Sequence, residues 1–151
     1  MRRSVLDLND YLPYLINRVG SAVAVRFTQE RLAAHGLSIV MWRVLAVLST
    51  NGAQRQIDLA GLTSIDVSTL SRLVTRLVHT GLVTRSRSRA SSREVVVALS
   101  AKGRALVDRL IPVALGYEDV LSRRLAKKDL ALVKQTLRQM YANLRGSRDG
   151  K

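Results

Sequence analysis

Apolar positions along the chain recur at helical spacing in most segments and at alternating spacing in one. Over 10–34, Leu12, Leu15, Ile16, Val19, Val23 and Phe27 fall three or four apart, which predicts a helix with one apolar stripe. Pro13 suits its first turn, Asn9 or Asp10 its cap, and Gly36 its end. Ser38 is placed to cap a second helix running to Ser49, with Val40, Met41, Val44, Leu45 and Leu48 inward. After the turn at Asn51-Gly52, a short helix is predicted over 54–62 with Ile57, Leu59 and Ala60 as its apolar members. Asp66 then caps a further helix to His79, where Leu70, Leu73, Val74, Leu77 and Val78 form the apolar side and Gly81 the stop.

The period changes at Leu82. Residues 82–87 and 93–99 read as two strands; in the second, Val95, Val97 and Leu99 alternate with their neighbours. The polar stretch 88–92 between them makes a β-hairpin with a basic tip. Helical spacing resumes at Ser100. A helix is expected over 101–125, bent or broken by Pro112. A last helix over 127–144 carries Leu130, Val133, Leu137, Met140 and Leu144 at spacings of three and four, a seam of about two heptads. The tail 146–151 reads as disordered. The expected fold is therefore mainly α with a small β-hairpin wing. No repeat or linker divides 1–151, so one domain is expected, with 38–100 as a winged helix-turn-helix region and 10–34 and 101–144 flanking it.

Composition narrows the chemistry. The 151 residues hold 25 basic and 11 acidic side chains, a net charge of +14, which favours an anionic partner. Aromatic residues make up 4% of the chain, so the core is aliphatic. With no cysteine, disulfides, thiolate catalysis, cysteine redox sensing and thiolate metal sites are excluded. His35 and His79 stand far apart and begin no ligand cluster, so no metal or other cofactor is expected. No stretch reaches the ~18 apolar residues of a membrane span, and the start lacks a signal-peptide core, so the cytoplasm is the expected compartment.

The helix after Asp66 exposes Ser68, Thr69, Ser71, Arg72, Thr75 and Arg76 opposite its apolar face. Short hydroxyls approach bases and phosphates closely, and an arginine can fork onto guanine O6 and N7 in the major groove. No acid follows Asp66 on that face. The hairpin adds Arg85, Arg87, Arg89 and Arg93, a basic ribbon suited to the backbone or the minor groove. A surface of Ser, Thr and Arg is also an ordinary wet surface; it is the order of elements that points to double-stranded DNA. A sequence-independent architectural DNA binder would share the charge and the wing. An RNA binder would want stacking aromatics on this face. An enzyme would want a carboxylate pair, a nucleophile with its base or a phosphate loop, and Asp58, Asp66 and Glu94 supply none of these.

Trp42-Arg43-Val44-Leu45, Asp58-Leu59-Ala60, the run Val67-Ser68-Thr69-Leu70-Ser71-Arg72-Leu73-Val74, Gly81-Leu82-Val83 and Leu99-Ser100-Ala101-Lys102-Gly103 resemble the MarR family of regulators over about 10–144. The resemblance implies a homodimer of winged helices paired through the first, fifth and sixth helices, binding a palindromic operator, usually as a repressor. It also implies release by a small ligand, often a phenolic or aromatic acid. Tyr11, Tyr14, Arg18, Trp42 and Arg43, with Tyr117, are the residues it suggests for that ligand. Aromatic walls with an arginine suit an aromatic carboxylate or an acyl thioester of coenzyme A. The segments Leu12-Pro13-Tyr14-Leu15-Ile16-Asn17-Arg18 and Thr63-Ser64-Ile65-Asp66-Val67-Ser68 resemble the branch that senses such acids or thioesters. The residues themselves also allow Trp42 and Tyr14 as core and Arg18 and Arg43 as interface charges. In one respect the chain departs from the family pattern: Ser91 stands where the wing usually has an Asp two residues before its Arg, here Arg93. Ser92-Arg93-Glu94 offers a different pairing.

Overall fold

The computed structural model describes residues 5–87 and 94–146. They form two compact units, Met1–Ala114 and Leu115–Lys151.

The first unit opens with a 3-10 turn, Leu8–Asp10, capped by Asp7, whose carboxylate accepts from the Asn9 N–H at 2.8 Å. The cap expected at Asn9 or Asp10 for the first long helix does not form, since both residues lie within this turn. Helix α1, Leu12–Phe27, begins behind Tyr11 with Pro13 in its first turn and no side-chain cap. The predicted single helix over 10–34 is three pieces. After α1 the coil widens to a π-helical turn, Thr28–Leu32, and then tightens to a 3-10 turn, Ala33–His35. The wide turn has a packing reason: bonds to the fifth residue bring residues five apart onto one face, and Phe27 and Leu32, five apart, are both buried. Gly36, at φ +67°, ends the segment in the left-handed region.

Helix α2, Ile39–Asn51, is capped as expected: the Ser38 hydroxyl accepts from the Met41 N–H at 3.3 Å. Met41, Trp42, Val44, Leu45 and Leu48 are buried, with Trp42 in the place foreseen for Val40, which is half-buried. Residues Gln54–Arg55 are not helical. They form a short strand, β1, and helix α3 is confined to Gln56–Thr63. Ile57, two residues and so roughly 200° around the helix from Leu59, lies exposed, contrary to its expected place inside. Helix α4, Val67–His79, buries Leu70, Val74 and Leu77; Val78, expected inside, is exposed at the edge of the stripe. Its end is a Schellman motif, Leu82 N–H to Leu77 C=O at 2.9 Å and Gly81 N–H to Val78 C=O at 2.9 Å, with Gly81 at φ +73°.

Strands β2, Val83–Arg87, and β3, Val95–Leu99, pair antiparallel from Val83↔Leu99 to Arg87↔Val95. The wing is a three-stranded sheet in the order β1-β3-β2, because Gln54 and Arg55 pair with Val97 and Val96. Two residues carry no readable period, so the sequence could not announce β1. Helix α5, Ala101–Leu121, starts behind Ser100, whose hydroxyl accepts from the Gly103 N–H at 2.9 Å. Pro112 lies inside α5, which runs on through it to Leu121 and so is not broken there. Leu106, Val107 and Leu110 of α5 complete the core of the first unit with Leu45, Leu59, Leu70 and Val97.

The second unit holds the last turns of α5 and helix α6, Lys127–Gly146. Helix α5 stops at Leu121, not at 125, where Arg124 takes a left-handed φ of +72°. The Lys134 ammonium meets the Glu118 carboxylate at 2.6 Å. No residue of α6 is buried. Among the described residues no single helix is long and apolar enough to cross a membrane.

Candidate DNA-reading surface and ligand positions

Helix α4 is held at its start by Asp66. That carboxylate accepts from the Thr69 N–H at 2.8 Å and from the Ser68 hydroxyl at 2.6 Å. The Ser68 hydroxyl, first, and the Thr69 backbone N–H hold the Asp66 carboxyl well below the usual carboxylate range. Ser68 is therefore exposed but occupied as a donor. Its oxygen remains an acceptor.

Arg72 and Arg76 project one turn apart from the exposed side, and Thr69 and Ser71 are half-buried beside them. The Arg72 guanidinium donates to the Thr69 hydroxyl oxygen at 3.3 Å, which fixes its direction and leaves its other N–H groups free. Thr75 joins helix to wing: it donates to the Ser71 carbonyl at 3.0 Å and accepts from Arg85 of β2 at 3.3 Å. Arg87 is exposed further along β2. Arg89 and Arg93 lie outside the described residues, as does Ser91.

The wing is anchored at its base by a residue the sequence reading missed. Arg55 of β1 grips Asp58 of α3 through two N–H groups, at 2.6 and 3.0 Å, and reaches Glu94, just before β3, at 3.0 Å. The carboxylates of Asp58, first, and Glu94 push the Arg55 guanidinium above its ordinary value. Arg55 and Asp58 stand three apart, a legible signal for a local pair. Glu94, 39 residues away, became a partner only when β1 joined the sheet.

At the other end of the wing, the α4–β2 turn is tied to the first turn of α5. The Ser100 hydroxyl donates to the Gly81 carbonyl at 2.6 Å, and the Lys102 ammonium to the Thr80 carbonyl at 2.9 Å. A Cβ at Gly103 would overlap the Leu82 carbonyl oxygen, so only glycine lets the helix approach so closely.

The residues suggested for a ligand are spread more widely. Tyr11 is exposed at the start of α1, Tyr14 is half-buried and Arg18 is exposed. On α2, Arg43 is exposed, while Trp42 is 8% exposed and meets Phe27 edge to face, ring centres 5.5 Å apart. Trp42 thus serves the core. Tyr117 is half-buried in the second unit. No cluster of His, Asp or Glu fit to hold a metal occurs among the described residues.

A model of the MarR family matches residues 37–95, which takes in the reading helix and most of the wing. A transcriptional regulator of the MarR family from Silicibacter pomeroyi is 31% identical in sequence and superposes with a TM-score of 0.81, covering 93% of this chain and 96% of that one. BpsR of Bordetella bronchiseptica, whose structure describes regulation of its DNA binding by 6-hydroxynicotinic acid, is 27% identical at a TM-score of 0.77, covering 86% of this chain and 98% of that one. The transcriptional repressor NicR of Pseudomonas putida is 25% identical over 134 residues, 89% of this chain and 84% of that protein. With this agreement in sequence, in winged-helix architecture and in extent, the chain belongs to the MarR family of DNA-binding transcription regulators.

Proposed function

We propose that this regulator is a cytoplasmic repressor that binds a palindromic operator as a homodimer and leaves it when a small aromatic acid binds. The observation that carries the reading is the α4 surface: Ser68, Arg72 and Arg76 stand clear of the core, and Arg85 is tied to them through Thr75. Arg72 and Arg76 read base edges in the major groove, with Ser68, Thr69, Ser71 and Thr75 beside them. Arg85, Arg87, Arg89 and Arg93 of the wing hold phosphates or enter the minor groove. Phosphate contacts set affinity and the helix sets sequence.

The dimer is supported by apolar side chains that one chain leaves uncovered. Leu12, Leu15, Ile16 and Val19 are exposed on α1, and Val133, Leu137 and Leu144 on α6. A symmetric partner would cover them and set two α4 helices about one DNA turn apart. An aromatic acid as effector is supported by the likeness to BpsR and by Tyr11, Tyr14, Arg18 and Arg43 on α1 and α2, while Trp42 belongs to the core. A coenzyme A thioester is the larger ligand of the same class.

Fluorescence anisotropy on DNA from upstream of the gene, against scrambled DNA at two salt concentrations, tests the reading. A specific regulator prefers the upstream fragment and keeps that preference at the higher salt. Equal binding that collapses with salt on both fragments would instead mark a general DNA binder.

A further inference from the structure

Between 37 and 100 the chain carries three acidic side chains, Asp58, Asp66 and Glu94. Asp66 caps α4, and both of the others are held by Arg55. Arg55 joins three elements. Its backbone lies in β1, opposite Val96 of β3. Its guanidinium takes Asp58, in the first turn of α3, at 2.6 and 3.0 Å, and Glu94, at the entry to β3, at 3.0 Å. Two parallel bonds from a guanidinium to one carboxylate fix direction as well as distance. The other arm of the hairpin is tied to a different helix: Arg85 of β2, in register with Val97, donates to Thr75 of α4 at 3.3 Å. The wing is therefore fastened to α3 through one strand and to α4 through the other.

Glu94 is the informative member of this group. A carboxylate at the edge of a wing that meets phosphates repels them, so by charge alone it lowers affinity for DNA. By geometry it does the opposite, since it receives Arg55 and holds the start of β3 against α3. We infer that Arg55, acting through Glu94, is a positioning residue for DNA binding: it sets the direction in which the wing presents its arginines and makes no contact with nucleic acid itself. The inference rests on the DNA-binding reading above. Three of the five N–H groups of Arg55 are spent on carboxylates, so its charge is already answered within the chain. A wing held beforehand in its bound direction escapes the ordering cost that a loose one would meet on binding. The Arg55 and Glu94 side chains are 50% and 38% exposed, which limits the effect of the bridge to a few-fold.

Charge and positioning give opposite signs for one substitution, Glu94→Ala. The full-length wild type, Glu94→Ala, Arg55→Gln and the double variant are titrated by anisotropy onto the upstream fragment and onto scrambled DNA over a series of salt concentrations. Circular dichroism checks that the variants fold. Although Glu94→Ala removes a negative charge, it is expected to weaken binding by about three- to fivefold. The slope of log K against log salt should also become shallower by about one, as a wing arginine leaves its phosphate. Added to Arg55→Gln, Glu94→Ala should weaken binding no further, because the bridge is already gone. Binding by Glu94→Ala as tight as that of the wild type, or tighter, would overturn the inference. So would weaker binding with an unchanged slope, the mark of a merely structural loss. A wild type with equal affinity for both DNAs would overturn the sequence-specific reading alone, because affinity and slope are read on either DNA. A wild type that binds neither would overturn both.

Discussion

Helices α4 and α6 carry the same kind of pattern and meet different fates. In α4 the stripe Leu70, Val74 and Leu77 is buried within the chain. In α6 the stripe Val133, Leu137 and Leu144 recurs at similar spacing, yet no residue of the helix is buried and Leu137 is 42% exposed. An apolar stripe states that a helix needs a cover; it does not say which chain supplies it. The polar faces differ as well. That of α4 is free of acids and fixed by Asp66, Thr69 and Thr75. That of α6 mixes Lys128, Asp129, Lys134 and Arg138, the composition of an ordinary solvated surface.

Substitutions can break this contrast, and the largest effect belongs to the covered stripe. Leu70→Ala removes a fully buried side chain and is expected to cost about 2–5 kcal/mol of folding stability, read from urea unfolding of the dimer at fixed concentration. A change below ~1 kcal/mol would mean that the α4 stripe is not the core described here. On the uncovered stripe, Leu137→Glu should leave the fold intact. It should weaken self-association by about 2 kcal/mol or more, some thirtyfold, read by sedimentation equilibrium with circular dichroism as the control. An unchanged dimer would remove α6 from the interface.

The polar faces sharpen the contrast with smaller effects. Arg72→Ala should cost roughly 1–3 kcal/mol of binding on the operator and less on random DNA, read by anisotropy; equal losses would reduce Arg72 to a phosphate contact. The smallest effect is that of the cap. Asp66 is bound by its partners as a carboxylate, so its folded-state pKa lies below that of the unfolded chain. Its contribution is present above the ordinary carboxylate range and fades as pH falls through that range toward the folded value. Asp66→Ala should therefore lower Tm at neutral pH, and the gap to the wild type should narrow on acidification. A gap that persists unchanged at low pH would show that the carboxylate charge is not what caps α4.

The same distinction explains what could be read in advance. Ser38, Asp66, Ser100, Gly36 and Gly81 act on backbone groups within a few residues, so caps and stops were legible one by one. The reading face of α4 was legible because helical spacing alone sorts Ser68, Arg72 and Arg76 from Leu70, Val74 and Leu77. Ile57 was misplaced although helical spacing sets it roughly 200° from Leu59; the short strand β1 was missed because it exists only through its pairing with Val96 and Val97. The pairing of Arg55 with Glu94 and the cleft lined by His35, Lys102 and Arg109 were hidden for the same reason, since each joins segments distant along the chain.

By itself, then, the sequence determined the order of the long helices and the two hairpin strands, the acid-free face of α4, the absence of thiol chemistry and the excess of positive charge. All of these follow from residue identity and local periodicity. Tertiary structure alone decided that Phe27 and Leu32 share a face through a π turn, that Arg55 anchors the wing, that Trp42 is core, and that His35, Lys102 and Arg109 line one cleft with Leu82 and Leu106. Each of these is a contact between segments whose meeting is set by how apolar faces cover one another, and no stretch of sequence contains it.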